Sequence, residues 1–400
     1  MYFAEILRVI LAFPDERRQW GEVDNSHKIK IIKVGGIVMN KKIKVGIIGC
    51  GGIATGKHMP AISKLEEVEM AAFCDIIEKR AEKAAEEFGA EGAEVYTDYK
   101  KLLEDESIEA VHVLTPNDSH APITVAALEA GKHVMCEKPM AKTAEGARKM
   151  VNAAKRTGKI LTIGYQNRYR PDAQYLYKAC QEGELGNIYF AKAHAIRRAA
   201  VPTWGVFIDE EAQGGGPLID IGTHALDLTL WMIDNYKPKY VVGTTYRELA
   251  ENEEKSLANS FGPWDTDEFT VEDSAFGFVV MENGATVILE SSWALNTLDV
   301  GEAKTTLCGT KAGADMRDGL RINGQKYGKH YVEKPQLDKD GVDFYEGESM
   351  SPGDKEARTF YDAVLYDKAL VVKPEQALVV TEILEAIYES AKTGKPVYFD

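Results

Sequence analysis

A chain of 400 residues, 44% of them hydrophobic, is long enough to bury the cores of two domains. Its 48 Lys and Arg stand against 63 Asp and Glu, a formal charge of -15 that repels a phosphate backbone and excludes nucleic acid as an expected partner. No apolar run approaches the roughly 20 residues that cross a bilayer, and five scattered cysteines without C-x-x-C spacing exclude a disulfide framework and a structural zinc site, so a soluble protein of the reducing cytoplasm, holding no metal, is expected.

Residues 1–38 stand apart. Met1–Phe13 is apolar but carries Glu5 and Arg8 within it, and it lacks the basic start and small-residue cleavage site of a signal peptide. Met39, just ahead of a strong strand, is the expected working start, with 1–38 an extension outside the fold; an ordered N-terminal helix is the competing expectation. From Lys41, β-branched runs alternate with amphipathic stretches, the pattern of βαβ units on a parallel sheet. Strands are expected at Ile43–Ile48, Val68–Cys74, Ala110–Leu114, His133–Cys136 and Ile160–Ile163. Helices are expected at Ile77–Phe88, Asp118–Ala130 and Thr143–Thr157, the last two ending at Gly131 and Gly158 in left-handed caps.

After Gly164 the alternating runs lengthen, at Asn187–Ile196, Tyr240–Arg247, Ser274–Val280 and Ala285–Ser291, which predicts an antiparallel sheet with one covered face. Helices at about 172–182 and 223–234 are expected to cover it, and helices near 354–366 and 374–393 to close the fold. Glu251–Glu268 reads as a surface loop and Gly319–Pro352 as irregular hairpins. The fold class is therefore α/β followed by α+β: a doubly wound parallel sheet over 39–164, then a C-terminal domain over 165–400 with a large, mainly antiparallel open sheet covered by helices. The open face, with its alternating apolar residues, predicts a homodimer or homotetramer.

The first strand runs directly into Gly49-Cys50-Gly51-Gly52-Ile53-Ala54, a G-x-G-x-x-A loop that opens a helix. Glycines there let the backbone approach a pyrophosphate while the helix N-terminus supplies N–H donors. Gly49, Gly51, Gly52 and Ile53 are thus candidate cofactor residues in a Rossmann domain. Asp75, at the end of the second strand, is the acidic residue expected about 20 residues on to bind the adenosine ribose. Its charge repels a 2′-phosphate and favours NAD, although Lys79 and Arg80 offset part of that preference and leave NADP open.

Two further segments lie at carboxyl ends of parallel strands, where ligands of open α/β sheets bind: Leu114-Thr115-Pro116-Asn117-Asp118-Ser119-His120 and Cys136-Glu137-Lys138-Pro139. With Gly164-Tyr165-Gln166-Asn167-Arg168-Tyr169 and Gly214-Gly215-Gly216-Pro217-Leu218-Ile219-Asp220-Ile221-Gly222-Thr223-His224, they resemble the Gfo/Idh/MocA family of sugar and inositol oxidoreductases from Met39 to Asp400. The resemblance implies reversible hydride transfer between NAD and a secondary hydroxyl of a carbohydrate or cyclitol. It places Lys138 between nicotinamide and substrate, and it makes Asp220 and His224 the family's D-x-x-x-H, with His224 as proton acceptor and Asp220 also binding a substrate hydroxyl. Four residues apart, the two share one face if helical, and a carboxylate beside a histidine is expected to orient it and raise its pKa. The resemblance also puts Thr115, Pro116, Asn117, His120, Glu137 and Asn167 at the cofactor and Arg168 at the substrate, with Trp204 as a sugar-stacking face. Two other activities stay open: cleavage or transfer of glycosides through transient oxidation by bound NAD, and a non-catalytic sugar or nucleotide sensor.

Overall fold

The computed structural model describes residues 31–34, 37–40, 42–337 and 350–399. Expectations for residues 1–30 and for 338–349 lie outside the described residues. The chain divides after Lys41. Before that point, Ile31–Val34 (β1) and Ile37–Asn40 (β2) form an antiparallel pair of their own.

Beyond it, Ile43–Ile48 (β3), Val68–Cys74 (β4), Glu94–Tyr96 (β5), Ala110–Val113 (β6), His133–Cys136 (β7) and Leu161–Ile163 (β8) form one sheet in the order β5-β4-β3-β6-β7-β8, with every pairing parallel. Helices cross between them at Glu78–Phe88 (α1), Tyr99–Glu104 (α2), Asn117–Glu129 (α3) and Ala144–Thr157 (α4). Helices on both faces explain why β6 and β8 are buried at every position. Gly158 takes the left-handed cap at φ 67°, and Gly131 has φ 78°. The order reverses between β3 and β6, which opens a crevice at their carboxyl ends. β5 and α2 were not expected from the sequence. β5 is three residues long and none of it is fully buried, while α2 is set by Asp98, whose side chain accepts from the Lys100 N–H at 2.9 Å.

After Pro171–Gln181 (α5), a nine-stranded sheet is built from Ile188–Ile196 (β9), Pro238–Tyr246 (β10), Ser274–Met281 (β11), Thr286–Ser292 (β12), Gly301–Gly309 (β13), Ala312–Asp315 (β14), Arg321–Lys326 (β15), Lys329–Glu333 (β16) and Val397–Tyr398 (β17). It is antiparallel except where β9 pairs with β12, and that parallel join makes the sheet mixed. Thr223–Ile233 (α6) and Pro374–Thr393 (α8) cover one face, and Pro352–Tyr366 (α7) packs against the first sheet's core through Phe360 and Tyr361. Close approach of α8 requires glycine beneath it: a Cβ on Gly243 would meet the Ile387 carbonyl oxygen at 2.8 Å. The opposite face keeps Val242, Tyr246 and Phe278 at 40–43% exposure.

Candidate active site

Three loops converge on the crevice. Gly49 turns the chain off β3 at φ 93°, and a Cβ there would sit 2.6 Å from the Leu114 carbonyl oxygen, so glycine is required. Gly51 and Gly52 face open space where side chains would stand, leaving backbone available to a ligand at the start of the π-helical turn Ala54–His58. Ile53 is exposed beside them. Asp75 fixes this loop: one carboxylate oxygen accepts the Cys50 N–H at 2.9 Å and the other the Ile77 N–H at 2.8 Å. A carboxylate has about four acceptor sites, so two bonds leave capacity for ribose hydroxyls. Arg80 is exposed on α1, and Pro116 is exposed and Thr115 half-buried at the entry to α3. An open glycine backbone, a helical N-terminus and a buried acid 8% exposed together fit a dinucleotide.

Facing the crevice, Leu218–Gly222 forms a π-helical turn that continues into α6, so Asp220 and His224 do share one helical stretch. Wide turns of this kind are frequent at functional sites. From the end of β7, Lys138 Nζ donates to Asp220 Oδ1 at 2.8 Å and to the Asp220 carbonyl at 3.0 Å. Trp293 Nε1 donates to the other carboxylate oxygen at 3.0 Å. Burial opposes the charge on Asp220, but the Lys138 ammonium, with Arg197 and His224, holds it below the ordinary carboxylate range.

His224 reverses one expectation. Its pKa is lowered to about 3, not raised: burial first and then the Lys138 cation outweigh the upward pull of the Asp220 carboxylate, which is itself paired with Lys138 and Trp293. The imidazole is therefore neutral, and its buried Nδ1 has no partner among the described residues. Tyr165 stands edge-on to it at 6.2 Å and is itself bonded to Thr223 Oγ1 at 2.8 Å. A fixed ammonium, a fixed carboxylate and a neutral imidazole with an unpartnered nitrogen make a set that can hold an alcohol and accept its proton.

Residues 43–165 match the family described as an oxidoreductase family with an NAD-binding Rossmann fold, and residues 173–315 match the GFO/IDH/MocA C-terminal domain. The chain belongs to the Gfo/Idh/MocA oxidoreductase family. It is 34% identical over 355 residues to the D-glucoside 3-dehydrogenase of Escherichia coli, covering 89% of this chain and 97% of that one. An inositol 2-dehydrogenase of Salmonella paratyphi B is 30% identical, but over 49% of this chain and 56% of its own length. Among solved structures, levoglucosan dehydrogenase in complex with NADH and levoglucosan superposes with a TM-score of 0.75 at 22% identity, over 90% of this chain and 99% of that one. The aldose-aldose oxidoreductase of Caulobacter crescentus gives 0.72 at 23%, over 90% of this chain and 100% of that one.

Within this Gfo/Idh/MocA oxidoreductase, several residues expected at ligands are bound up in the protein instead. Arg168 is the clearest correction. It is fully buried, paired two-pronged with Asp227 at 2.9 and 2.5 Å, bonded to the Val371 carbonyl and Gln376, and stacked over Trp231, so no donor faces a substrate. His120 is likewise enclosed: its ring nitrogens meet the Pro139 and Thr115 carbonyls at 2.8 and 2.9 Å. Two carbonyl partners require both nitrogens to donate, and against its burial Cys136 and these carbonyls push the ring up to about 9. It ties the loop after β6 to the E-K-P turn. Asn117 is buried and donates to the Gln213 carbonyl at 3.1 Å, and Asn167 is half-buried beside Arg170. Trp204 is 53% exposed and packs edge-on against Phe261 at 4.9 Å and Phe207 at 5.8 Å.

Glu137 also points inward, into a buried cluster that sequence reasoning missed. One carboxylate oxygen accepts the backbone N–H of Lys138 at 2.9 Å; the other takes the Lys57 ammonium and His58 Nε2, the latter at 2.8 Å. Lys57 also pairs with Glu356 of α7 at 3.0 Å. His58 continues to His112 at 3.2 Å and His112 to Tyr361 at 2.9 Å. Ligand atoms of His58, Glu137 and Glu356 lie within 4.8 Å of one another, but the cation between the two carboxylates is Lys57 itself. Trp293 and Glu272 were missed too. Glu272 accepts the Gly216 and Leu218 N–H groups at 2.8 and 3.1 Å, which anchors the turn that carries Asp220.

Proposed function

We propose that the protein oxidises a secondary ring hydroxyl of a glucoside to the ketone, with NAD as acceptor. The observation that carries this reading is the Lys138–Asp220 ion pair beside a neutral His224 whose ring nitrogen is unpartnered. Likeness to D-glucoside 3-dehydrogenase over 89% of the chain supports a glucoside ahead of an inositol, for which the likeness takes in about half. Bound NAD supplies the hydride acceptor. Gly49, Gly51, Gly52 and Ile53 would take its pyrophosphate and Asp75 its adenosine ribose, where a carboxylate favours NAD over NADP. Lys138 hydrogen-bonds the reacting oxygen, Asp220 holds Lys138 and accepts from a neighbouring hydroxyl, and His224 takes the hydroxyl proton. A positioned base of this kind contributes roughly 10²- to 10⁴-fold.

In this reading residues from about 39 to 164 carry the cofactor and 165–400 carry the substrate and the oligomer contact. Val242, Tyr246 and Phe278 on the uncovered sheet face suit a homodimer or homotetramer. No helix among the described residues is long and apolar enough to cross a membrane. Five free cysteines suit the reducing cytoplasm. NADH formation over a panel of glucosides, inositols and hexoses tests the assignment, with Lys138→Ala as its control. The wild type should oxidise at least one glucoside and the variant should lose at least a hundredfold. Undiminished turnover in the variant refutes the mechanism, and glycoside cleavage without net NADH would replace it with transient oxidation.

A further inference from the structure

The E-K-P turn is not held from its own sheet alone. Glu137, which accepts the Lys138 N–H, is 5% exposed, and a Cβ on Gly164 would crowd its carboxylate at 3.1 Å. A carboxylate so enclosed remains an ion only beside a cation. That cation is Lys57, from the turn after the glycine loop, and its ammonium is shared with Glu356, from the far end of the chain. Glu356 is 3% exposed and its second oxygen has no hydrogen-bond partner among the described residues, so the Lys57 pair is the polar interaction that accounts for this buried carboxyl.

We propose that Lys57 and Glu356 are positioning residues for the catalytic lysine: α7 sets Glu356, Glu356 and Glu137 together clamp the Lys57 ammonium, and the Glu137 carboxylate so fixed holds the Lys138 backbone. The inference rests on the reading of Lys138 as catalytic. The charge states agree with it. Lys57 and His58 overcome burial to hold Glu137 well below the usual carboxylate range, while burial, with Glu137 adding to it, pushes Glu356 up to about 7. Without Lys57, two buried carboxylates would face each other with no cation between them, and one must protonate. Glu137 would then release or reorient the Lys138 N–H. A displacement of about 1 Å at a catalytic group costs on the order of a hundredfold.

The test is a double-mutant cycle of Lys57→Met and Glu356→Gln in the full chain, read by amide hydrogen exchange of the peptide spanning residues 136–142 and by kcat. Lys57→Met should speed exchange there at least tenfold, leave peptides of β12 unchanged, and lower kcat tenfold or more with KM within threefold. Adding Glu356→Gln should recover at least fivefold in both, because one uncompensated carboxylate is gone. Additive losses, or exchange that rises equally everywhere, would overturn the proposal, since a merely structural lysine behaves that way. If Lys57→Met does not fold, Glu356→Gln alone decides: local exchange should rise two- to fivefold, and no change overturns the clamp. Wild-type turnover tests the functional reading separately. Its absence on every polyol would refute that reading while the exchange data still judge the clamp.

Discussion

Arg168→Met separates a structural role from a substrate-binding one. The guanidinium and the Asp227 carboxylate are 0% and 1% exposed and joined by two hydrogen bonds, with Val371, Gln376 and Tyr236 taking the remaining donors. Methionine fills much of the volume but leaves Asp227 as an uncompensated buried charge. Breaking such a pair from one side costs about 3–5 kcal/mol, a fifth or more of a typical total stability of roughly 5–15 kcal/mol. The lost stacking over Trp231 at 5.4 Å adds to that cost. Urea unfolding followed by Trp fluorescence should show a lower midpoint with an unchanged slope, and Tm should fall by on the order of 5–10 °C. The KM for the sugar, measured well below the new Tm, should stay within twofold. Unchanged stability with a KM raised tenfold would refute the argument and return Arg168 to the substrate.

Two other perturbations read the cofactor loop and the base. Gly49→Ala forces a Cβ to within 2.6 Å of the Leu114 oxygen at a backbone angle that costs an L-residue about 1–2 kcal/mol, so NAD affinity by fluorescence titration should fall at least tenfold; an unchanged Kd would refute the cradle. For His224 the lowered pKa means that the neutral base is the form the fold favours, so its contribution to stability is complete above 6.5 and is lost as pH falls toward about 3. The profile of kcat/KM should accordingly show no limb near 6.5 from this residue, and a limb there that vanishes in His224→Asn would refute the assignment.

Local order was readable in the sequence wherever periodicity and glycine punctuation coincide. The strand and helix around Gly49, the helix closed by Gly158, and α8 at Pro374–Thr393 fall where hydrophobic spacing puts them. β5 and β13 did not, because Glu94–Tyr96 is too short for a period and the buried register of Gly301–Gly309, Ala303, Thr305 and Leu307, holds a single large apolar side chain. Site residues divide the same way. Asp220 and His224 are four apart on one helix, so their proximity was legible. The bond from Trp293 to Asp220, the clamp from Glu356 and the pairing of Arg168 with Asp227 join distant segments, and nothing in local pattern announces them. His120 and Glu137 were placed in the right loops yet assigned to the ligand, because a motif fixes the loop and not the direction a side chain takes within it.

The state of His224 shows why the two sheets must be considered together. Within its own helix the histidine has a carboxylate four residues away, and that alone argues for a raised pKa and a charged ring that could not act as a base. Burial is the larger opposing cause, and Lys138, crossing from the other sheet to pair with Asp220, adds its own positive charge beside the imidazole. The same ion pair thus keeps Asp220 ionised, fixes the ammonium where an alcohol oxygen would meet it, and adds to the burial that keeps His224 neutral and able to accept a proton. Lys138 reaches Asp220 from the end of β7, so the pairing exists only where that strand end meets the Asp220 turn. In the proposed mechanism the base is therefore a property of the arrangement of β7 against the Asp220 turn, and the Glu272, Glu137 and Lys57 contacts at those two segments would support the chemistry without touching the substrate.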